Sequence, residues 1–373
     1  MTQAVRRFLV FLVFFAVAVP SLKAAETPGE KDENQIDILA KVSNHYYLNF
    51  KPLLSEKVEL PRIFLHQGGL NFYPSTTAAI NSSDGLTDEY YLEHEPIIEN
   101  GVLQPVTYNV VPADGGSITL DLSISSHLLF FWLSGIITLL IFIPIARKYK
   151  SGIGRDTAPK GAFQNLMETF FIFLRDNVAK PGLGEQHYKR FFPYLATAFF
   201  LIAFMNLLGL LPWGTSSTAD ITVTASLALL TFLITQFSGT KEHWKHVFWF
   251  PGVPFMVKLI MMPIEFIGLF TKPFALAIRL FANMLSGKVL VYSVIGLIFI
   301  FANLFGASVA YSTSIVWILF TVFIYIIKAF VALLQAYIFV MLSSLFIGMA
   351  VEDHEHEHDH EHAEAHDTVV QAA

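Results

Sequence analysis

Residues 274–284 read Phe-Ala-Leu-Ala-Ile-Arg-Leu-Phe-Ala-Asn-Met, an apolar run with a single arginine, Arg279, near its centre. Apolar sequence continues on both sides of this stretch. An arginine at the centre of a membrane-spanning helix costs about 3 kcal/mol on insertion scales and on the order of 10 kcal/mol or more in simulations of isolated helices. A charge at that depth usually faces a partner or a water path, so Arg279 is predicted to be functional. The alternative is an arginine near a helix end that extends to the lipid headgroups.

The composition around this stretch is that of a polytopic membrane protein. Of the 373 residues, 54% are hydrophobic, only 14% are charged, and 36 are Phe. Soluble domains carry about 25% charged residues. The net charge of −6 does not indicate nucleic-acid binding. Because the chain has no cysteine, disulfides, thiolate metal sites and thiol catalysis are excluded.

The chain divides into four predicted segments. Residues 1–25 combine two arginines with a short apolar run, which predicts a cleaved signal peptide; an uncleaved anchor is the alternative. Residues 26–125 are polar and rich in turn signals, and they predict a small β-containing exported extension. Residues 126–351 form the predicted membrane domain, and residues 352–373 form an acidic, histidine-rich tail.

The membrane domain is predicted to be all-α, with about five transmembrane helices and one helix at the cytoplasmic membrane surface. That surface helix, residues 163–177, has apolar residues at helical spacing with charged residues among them. Basic residues that follow the first span mark that side as cytoplasmic. A polar cytoplasmic loop is predicted at residues 241–246. The predicted spans are residues 127–146, 191–211 and 222–237, followed by the apolar stretches 252–303 and 312–351.

The last two apolar stretches are too long for one perpendicular crossing, which takes about 20 residues. Each is either one long, tilted helix or two spans, and hydropathy alone leaves this choice open. Two long helices would form a single hairpin and leave the C-terminus in the cytoplasm.

Polar residues of these two stretches recur at helical spacing. Residues four or seven positions apart share a helix face, so each arm carries a polar stripe that suits a water or proton path. The alternative is a set of interhelical hydrogen bonds and of lysines that extend to the headgroups. The first arm carries Lys258, Glu265, Lys272, Arg279, Asn283 and Lys288, and the second carries Lys328 and Gln335.

Four stretches resemble subunit a of F-type ATP synthases, in the order that this family has them. Residues 279–284, Arg-Leu-Phe-Ala-Asn-Met, resemble its Arg-Leu-Phe-(Gly/Ala)-Asn-Met motif. Residues 334–339, Leu-Gln-Ala-Tyr-Ile-Phe, resemble its Leu-Gln-Ala-Phe-Ile-Phe segment. Residues 206–212 resemble the end of its second span, and residues 163–176 resemble its amphipathic helix. The combination is specific, whereas any one of these motifs alone is weak.

The resemblance implies a non-catalytic, proton-translocating subunit in the inner membrane of a bacterium, with no cofactor or metal. Its implied partners are a rotating ring of c subunits, b-type peripheral-stalk subunits and lipid; no nucleic acid is expected. The extension would lie outside and the C-terminus in the cytoplasm. Arg279 would attract each ring carboxylate by roughly 4 kcal/mol, at about 4 Å and an effective dielectric constant of about 20. That attraction suffices to release the proton.

The same resemblance assigns further residues to the two half-channels. Asn283 and Gln335 would flank Arg279, and Glu265 would belong to the cytoplasmic half-channel. The chain also departs from the family, because Gly209 and Gly214 replace acidic residues that some relatives carry.

Two lysines make the chemistry of the outer half-channel an open question. Lys288 stands where many relatives carry a glutamate, and Lys328 stands where many bacterial relatives carry its histidine partner. One hypothesis is that these lysines relay protons through water. The other is that both extend to the membrane surface and that other groups, such as Asp220, serve the path.

A different class of membrane protein also stays open. A stand-alone secondary transporter or channel could use Arg279 to hold an anionic substrate, although no internal repeat is evident. The hydrolase pattern H-E-x-x-H occurs only within the alternating tail, at residues 354–358 and 356–360, and the pattern G-x-S-x-G does not occur. The tail alternates acidic residues with histidine, so loose Zn²⁺ or Ni²⁺ binding or pH sensing stands beside a solvated, disordered tail.

Overall fold

The structure is a computed structural model that describes eleven stretches of the chain. The predicted signal peptide and the histidine-rich tail lie outside them. The described residues are 46–48, 58–66, 69–81, 90–92, 98–99, 102–103, 110–112, 118–151, 161–211, 214–248 and 255–351.

The described part of the N-terminal extension consists of short strands, which confirms its predicted β content. The strands are β1 (Tyr47–Leu48), β2 (Val58–Glu59), β3 (Arg62–His66), β4 (Gly69–Tyr73), β5 (Tyr90–Leu92), β6 (Ile98–Glu99), β7 (Val102–Leu103), β8 (Val110–Pro112) and β9 (Leu120–Asp121). One short helix, α1 (Thr76–Asn81), follows β4. All pairs are antiparallel: β1 with β2, β3 with both β4 and β9, β5 with β8, and β6 with β7.

The three-stranded sheet β4-β3-β9 is joined directly to the first long helix. Phe64 of β3 is fully buried and packs with Ala79 of α1. The chain after β9 stays hydrogen-bonded to β3, because the Ile63 amide donates to Ser123 Oγ at 3.1 Å. The helix α2 (Ser126–Lys150) begins three residues later.

Five helical segments are long and apolar enough to cross a membrane, which confirms the predicted all-α, multi-pass architecture. A π-helical turn, Arg175–Ala179, joins helix α3 (Ala162–Leu174) to helix α4 (Lys180–Gly209), and α4 breaks at Gly184, whose φ is 71°. This break separates the amphipathic segment from the apolar part of α4. The remaining helices are α5 (Ile221–Ser238), α6 (Lys241–Phe248), α7 (Phe255–Phe305) and α8 (Ala307–Val351).

The two longest apolar stretches each form one continuous helix. Helix α7 has 51 residues and α8 has 45. At 1.5 Å per residue, 51 and 45 helical residues correspond to about 77 Å and about 68 Å, more than twice the hydrocarbon thickness of about 30 Å. The turn between them lies at Gly306, whose φ of 84° favours glycine. Of the two interpretations that hydropathy leaves open, the single long helix is therefore correct for both stretches.

The prediction of a polar loop at residues 241–246 is wrong, because this segment is part of helix α6. Thr240 Oγ1 accepts the His243 amide at 3.3 Å and so caps the start of the helix. One turn apart, the rings of Trp244 and Phe248 stack with their centroids 5.8 Å apart. These local contacts stabilise a helix that hydropathy does not reveal.

The described residues form two compact units. The boundaries between the units fall within the long helices, so each of these helices contributes residues to both. Of the described residues, unit 1 contains those up to Arg147, Leu201–Ser226 and Ile278–Gln335. Unit 2 contains the described residues of Lys148–Phe200 and Leu227–Ala277, together with those from Ala336 to Val351.

Candidate functional site

Arg279 lies on the exposed face of α7 in unit 1. The residues that follow it on this face, Ala282 and Ser286, are small and also exposed. The opposite face of the helix is packed, since Leu280 is fully buried and Met284 is 4% exposed. The Arg279 guanidinium therefore sits on a surface that leaves room for close approach by another helix.

One helical turn from Arg279, a pair of side-chain amides joins α7 to α8. Asn283 Nδ2 donates to Gln335 Oε1 at 3.4 Å. Gln335 is only 5% exposed, and its Nε2 has no acceptor in the described part of the chain. A buried amide donor needs an acceptor, so this group is available to a water or to a ligand that approaches Arg279.

Lys328 reaches across from α8 to the backbone of α7. Its Nζ donates to the carbonyl oxygen of Asn283 at 3.2 Å. The side chain passes over Gly287, where a Cβ would lie only 2.6 Å from Lys328 Cε and 2.9 Å from Cδ. Gly287 thus provides the space that Lys328 occupies.

Lys288 makes a comparable contact with the loop of residues 214–220. Its Nζ donates to the carbonyl oxygen of Gly214 at 3.3 Å. A Cβ at Gly214 would collide with the carbonyl oxygen of Leu208, so a side chain at this position does not fit. Both lysines are half-buried and donate to carbonyl groups inside unit 1.

The 214–220 loop is held at the start of α2 by two buried hydrogen bonds. His127 Nδ1 donates to the carbonyl oxygen of Ser216 at 2.8 Å. In return, Ser217 Oγ donates to the carbonyl oxygen of His127, also at 2.8 Å. All three residues are at most 1% exposed. These two hydrogen bonds therefore form in the interior of the protein.

The same loop is tied to α4 and α8 through Asn206. Thr218 Oγ1 donates to Asn206 Oδ1 at 2.6 Å, and Asn206 Nδ2 donates to the carbonyl oxygen of Ala332 at 3.1 Å. Asn206 and Thr218 are fully buried. The sequence marks Asn206 as part of a motif but does not reveal its contacts, because its partners are distant in the chain.

Gly209 precedes the 214–220 loop in the chain, and Asp220 is the last residue of this loop. A Cβ at Gly209 would lie 2.6 Å from Ser216 Cβ and 2.8 Å from Ser216 Cα, so an acidic side chain does not fit there. Asp220 Oδ1 accepts the Thr222 amide at 2.8 Å and so caps the start of α5.

Unit 2 holds the second set of polar residues that the sequence predicted. Glu265 of α7 is partly buried. Lys272 lines a small cavity together with Thr235, Gln236 and His243. The Gln236 Oε1 atom is buried and has no donor among the described residues. The structure thus gathers Asn283, Gln335, Lys288, Lys328 and Arg279 in unit 1, and Glu265 and Lys272 in unit 2.

Five long apolar helices with polar side chains buried between them define a multi-pass α-helical membrane protein. Comparison with known proteins narrows this class. The family described as ATP synthase A chain matches residues 128–348. The chain belongs to this family.

Several bacterial relatives support this assignment. An ATP synthase subunit a of Chloroherpeton thalassium is 45% identical over 239 residues, which is 63% of this chain and 69% of the relative. One from Chlorobium phaeobacteroides (strain BS1) is 46% identical over 242 residues, or 63% and 68% of the two chains. One from Anaeromyxobacter dehalogenans is 38% identical over 282 residues, or 72% and 69%.

Proposed function

We propose that this chain is the proton-translocating subunit a of an F-type ATP synthase in a bacterial inner membrane. It would offer two half-channels to the carboxyl groups of a c-ring and couple proton flow to ring rotation. The chain would have no active site of its own; ATP would be made elsewhere in the complex. The N-terminal extension would lie outside the membrane and the C-terminus in the cytoplasm.

The observation that carries the proposal is the position of Arg279 in a chain of this family. Its guanidinium lies on an exposed helix face beside Ala282 and Ser286, within a 51-residue apolar helix. A surface cation at that depth would face lipid, which is costly, unless a partner covers it. A ring carboxylate provides a partner of the right charge.

The chemistry of the ring explains why this position needs a permanent cation. A protonated carboxyl group can face lipid, whereas an ionised one without a partner is too costly to bury. The Arg279 guanidinium would draw the proton off each carboxyl group that arrives. Because arginine stays charged, it would also block direct proton leakage between the half-channels. Each proton that crosses 100 mV contributes about 2.3 kcal/mol to rotation.

The polar contacts of unit 1 support an outer half-channel near Arg279. The amides of Asn283 and Gln335 lie one turn away, and the Nζ atoms of Lys328 and Lys288 are hydrogen-bonded inside the same unit. These contacts favour the hypothesis that the lysines take part in the path over the hypothesis that they extend to headgroups.

The polar residues of unit 2 support an inner half-channel. Glu265 is partly buried in an otherwise apolar helix. The cavity beside Lys272 is lined by Gln236, whose buried oxygen would accept a hydrogen bond from water. Glu265 would accept or release protons on the cytoplasmic side.

The decisive experiment is ATP-driven proton pumping in inverted membrane vesicles that carry Arg279→Ala. Pumping should be lost although the complex assembles in normal amounts. Arg147→Ala, at an exposed position near the end of α2, is the matched control and should pump normally. Coupled pumping by the Arg279→Ala complex would refute the proposal. Anion transport by the purified chain alone would then support the stand-alone transporter.

A further inference from the structure

The three-stranded sheet β4-β3-β9 is covered on one of its two faces. Phe64 of β3 packs against Ala79 of α1 on this side. Arg62 lies on the same face, because side chains two positions apart on a strand point the same way. Its guanidinium carbon is 3.6 Å from the centre of the Tyr46 ring. This face is therefore the core side of the N-terminal strand region.

The opposite face carries only apolar side chains, in two rows that cross the three strands. In the first row, Ile63 pairs with Phe72, and the Leu122 amide donates to the Ile63 carbonyl oxygen at 2.9 Å. In the second row, Leu65 pairs with residues of both neighbouring strands. We call these six residues the apolar sheet face: Phe72, Ile63 and Leu122 in the first row, and Leu70, Leu65 and Leu120 in the second.

The apolar sheet face is exposed within the part of the chain that the structure describes. Leu70 and Phe72 are 64% and 63% exposed, and Leu120 and Leu122 are 37% and 39% exposed. An antiparallel sheet with one solvated face normally places polar side chains on that face. A contiguous exposed apolar patch instead marks a surface that contacts a protein or a membrane. This face is therefore expected to have a cover.

The sheet is held at the point where the chain enters the membrane. The Ile124 amide donates to the Pro61 carbonyl oxygen at 3.3 Å, and the first span, α2, begins two residues later. Ser125 lies between them and caps the helix, since its Oγ accepts the Leu128 amide at 3.3 Å. Two residues reach at most about 7 Å. The sheet thus has no flexible linker that could carry it away from the membrane surface.

The size and the position of the apolar sheet face favour lipid over a protein partner. A strand spacing of about 4.8 Å and a rise of about 3.4 Å per residue give it an area on the order of 300 Å², side-chain width included. A stable protein interface buries roughly 800 Å² per partner. A small patch suffices at a bilayer, because the attached span already holds it there. The chain also runs directly into α2, on which Leu133, Ile136 and Leu140 form an exposed apolar stripe.

We propose that the apolar sheet face rests in the membrane surface beside the first span, where its side chains contact the upper part of the lipid acyl chains. The N-terminal strand region would then be a membrane-bound element whose Arg62 side is turned away from lipid. This inference goes beyond the proposed function and does not depend on proton translocation, so either can fail without the other.

The test makes use of the absence of cysteine from the chain. Leu70→Cys and Phe72→Cys each place one thiol on the apolar sheet face. Gly69→Cys is the matched control, because Gly69 is exposed on the opposite face and a Cβ there would have its nearest contact at 3.6 Å. Each variant is labelled with a small fluorophore in the complete complex, whose other subunits carry no reactive cysteine, and is placed in lipid nanodiscs. Quenching is measured with iodide in the water and with lipids that carry a nitroxide near the top of the acyl chain.

The labels on Leu70→Cys and Phe72→Cys should be quenched by nitroxide lipids at least about threefold more than the label on Gly69→Cys, because interfacial apolar elements lie about 5–10 Å below the headgroup boundary. Iodide should give the reverse order. Equal quenching by iodide in all three variants would place the face in water and overturn the inference. Protection from both quenchers would show a protein cover and would overturn it as well. A disulfide between two Phe72→Cys chains would then identify that cover as a second copy.

A second measurement keeps the inference testable if the labels themselves disturb the sheet. The fluorophore is moved to Leu120→Cys and combined with Leu70→Asp/Phe72→Asp. Nitroxide quenching should fall by roughly half or more, because two charged side chains are too costly to keep in lipid. The matched variant Leu70→Met/Phe72→Leu should retain the quenching. Equal quenching in the two double variants would show that this face does not hold the sheet against lipid.

Discussion

Lys328 Nζ donates to the carbonyl oxygen of Asn283 at 3.2 Å, and this contact links the second arm of the hairpin to the turn of α7 that follows Arg279. It places the ammonium group of Lys328 against the backbone of a residue four positions after Arg279. The contact depends on Gly287, because any Cβ there would lie within 3 Å of the Lys328 side chain.

This dependence predicts that Gly287→Ala acts through Lys328. The atoms that the new methyl group would meet belong to the flexible end of the lysine, so the lysine should move while the helices stay in place. Proton pumping should fall by about tenfold, the factor expected from losing one charge-assisted hydrogen bond of about 1.5 kcal/mol.

A double-mutant cycle checks the assignment. The double variant should pump at the same rate as Lys328→Met alone, because Gly287→Ala acts only through that lysine. ATP-driven pumping, normalised to complex content, is the measurement. Multiplicative effects of the two substitutions would show that Gly287 has a role unrelated to Lys328.

Exchanging Lys288 and Lys328 for arginine tests whether these lysines relay protons. A relay needs a group that releases its proton, which arginine does not do. We expect the double variant Lys288→Arg/Lys328→Arg to lose at least about a hundredfold in pumping, the low end of what a positioned proton-transfer group contributes. Lys288→Met/Lys328→Met should lose as much.

The controls separate a relay from a structural tether. Lys245→Arg and Lys245→Met change a lysine whose side chain is 71% exposed, and both should pump normally. If the arginine double variant pumps well and the methionine variant does not, the lysines serve as fixed hydrogen-bond donors. Normal pumping by the methionine double variant would remove both roles.

Gly209 should not tolerate even a methyl group. In Gly209→Ala the Cβ would meet the backbone and side chain of Ser216 at 2.6–2.8 Å, so the 214–220 loop would have to move. Overpacking of this kind costs about 1–3 kcal/mol. The free energy of unfolding of the purified chain in mixed micelles measures the loss.

Gly268→Ala is the matched substitution. Gly268 lies inside α7, and a Cβ added to it would have no atom of the described chain within 4 Å beyond its own helical neighbours. Because alanine is a better helix former than glycine by about 1 kcal/mol, this variant should be neutral or slightly stabilised. Equal stability of the two variants would contradict the close approach of the loop to Gly209.

The helices and the site differ in how far the sequence predicts them. Apolar length and helical spacing locate five spans and the polar stripe around Arg279, because the bilayer imposes both patterns on any chain that crosses it. The partners of Asn206 and Lys288 are not predictable in this way. The hydrogen bonds to Ala332 and Gly214 join residues 126 and 74 positions apart, and neither partner offers more than a backbone carbonyl.

For several small and polar residues, the structural role depends on contacts that form only in the folded protein. Gly287 follows an apolar run like many helical glycines, and only the position of Lys328 gives it a function. His127 lies at the start of the first span, a position at which a histidine side chain often faces the lipid headgroups. In the structure it instead donates a hydrogen bond to the carbonyl oxygen of Ser216. Hydropathy does not predict helix α6, because its stability comes from a cap at Thr240 and from ring stacking rather than from an apolar face.

The part of the chain that assembly and proton pumping require should end at Val351. Ser344 Oγ donates to the carbonyl oxygen of Val178 at 3.0 Å, and Gly348 packs directly against the backbone of Gly182. Val351 itself is 5% exposed. The end of α8 is therefore part of unit 2, whereas the histidine-rich tail begins just beyond it.

Two truncations test this boundary. A chain that ends at Val351 should assemble and pump at the normal rate, also with Zn²⁺ removed by a chelator. A chain that ends at Ser343 should fail to assemble, because it loses both contacts to the segment around Gly182, and buried groups such as the Val178 carbonyl lose their partners at about 1–3 kcal/mol each. Reduced pumping by the Val351 truncation would instead give the tail a role in coupling, and a response of the full chain to added Zn²⁺ would identify that role as metal binding.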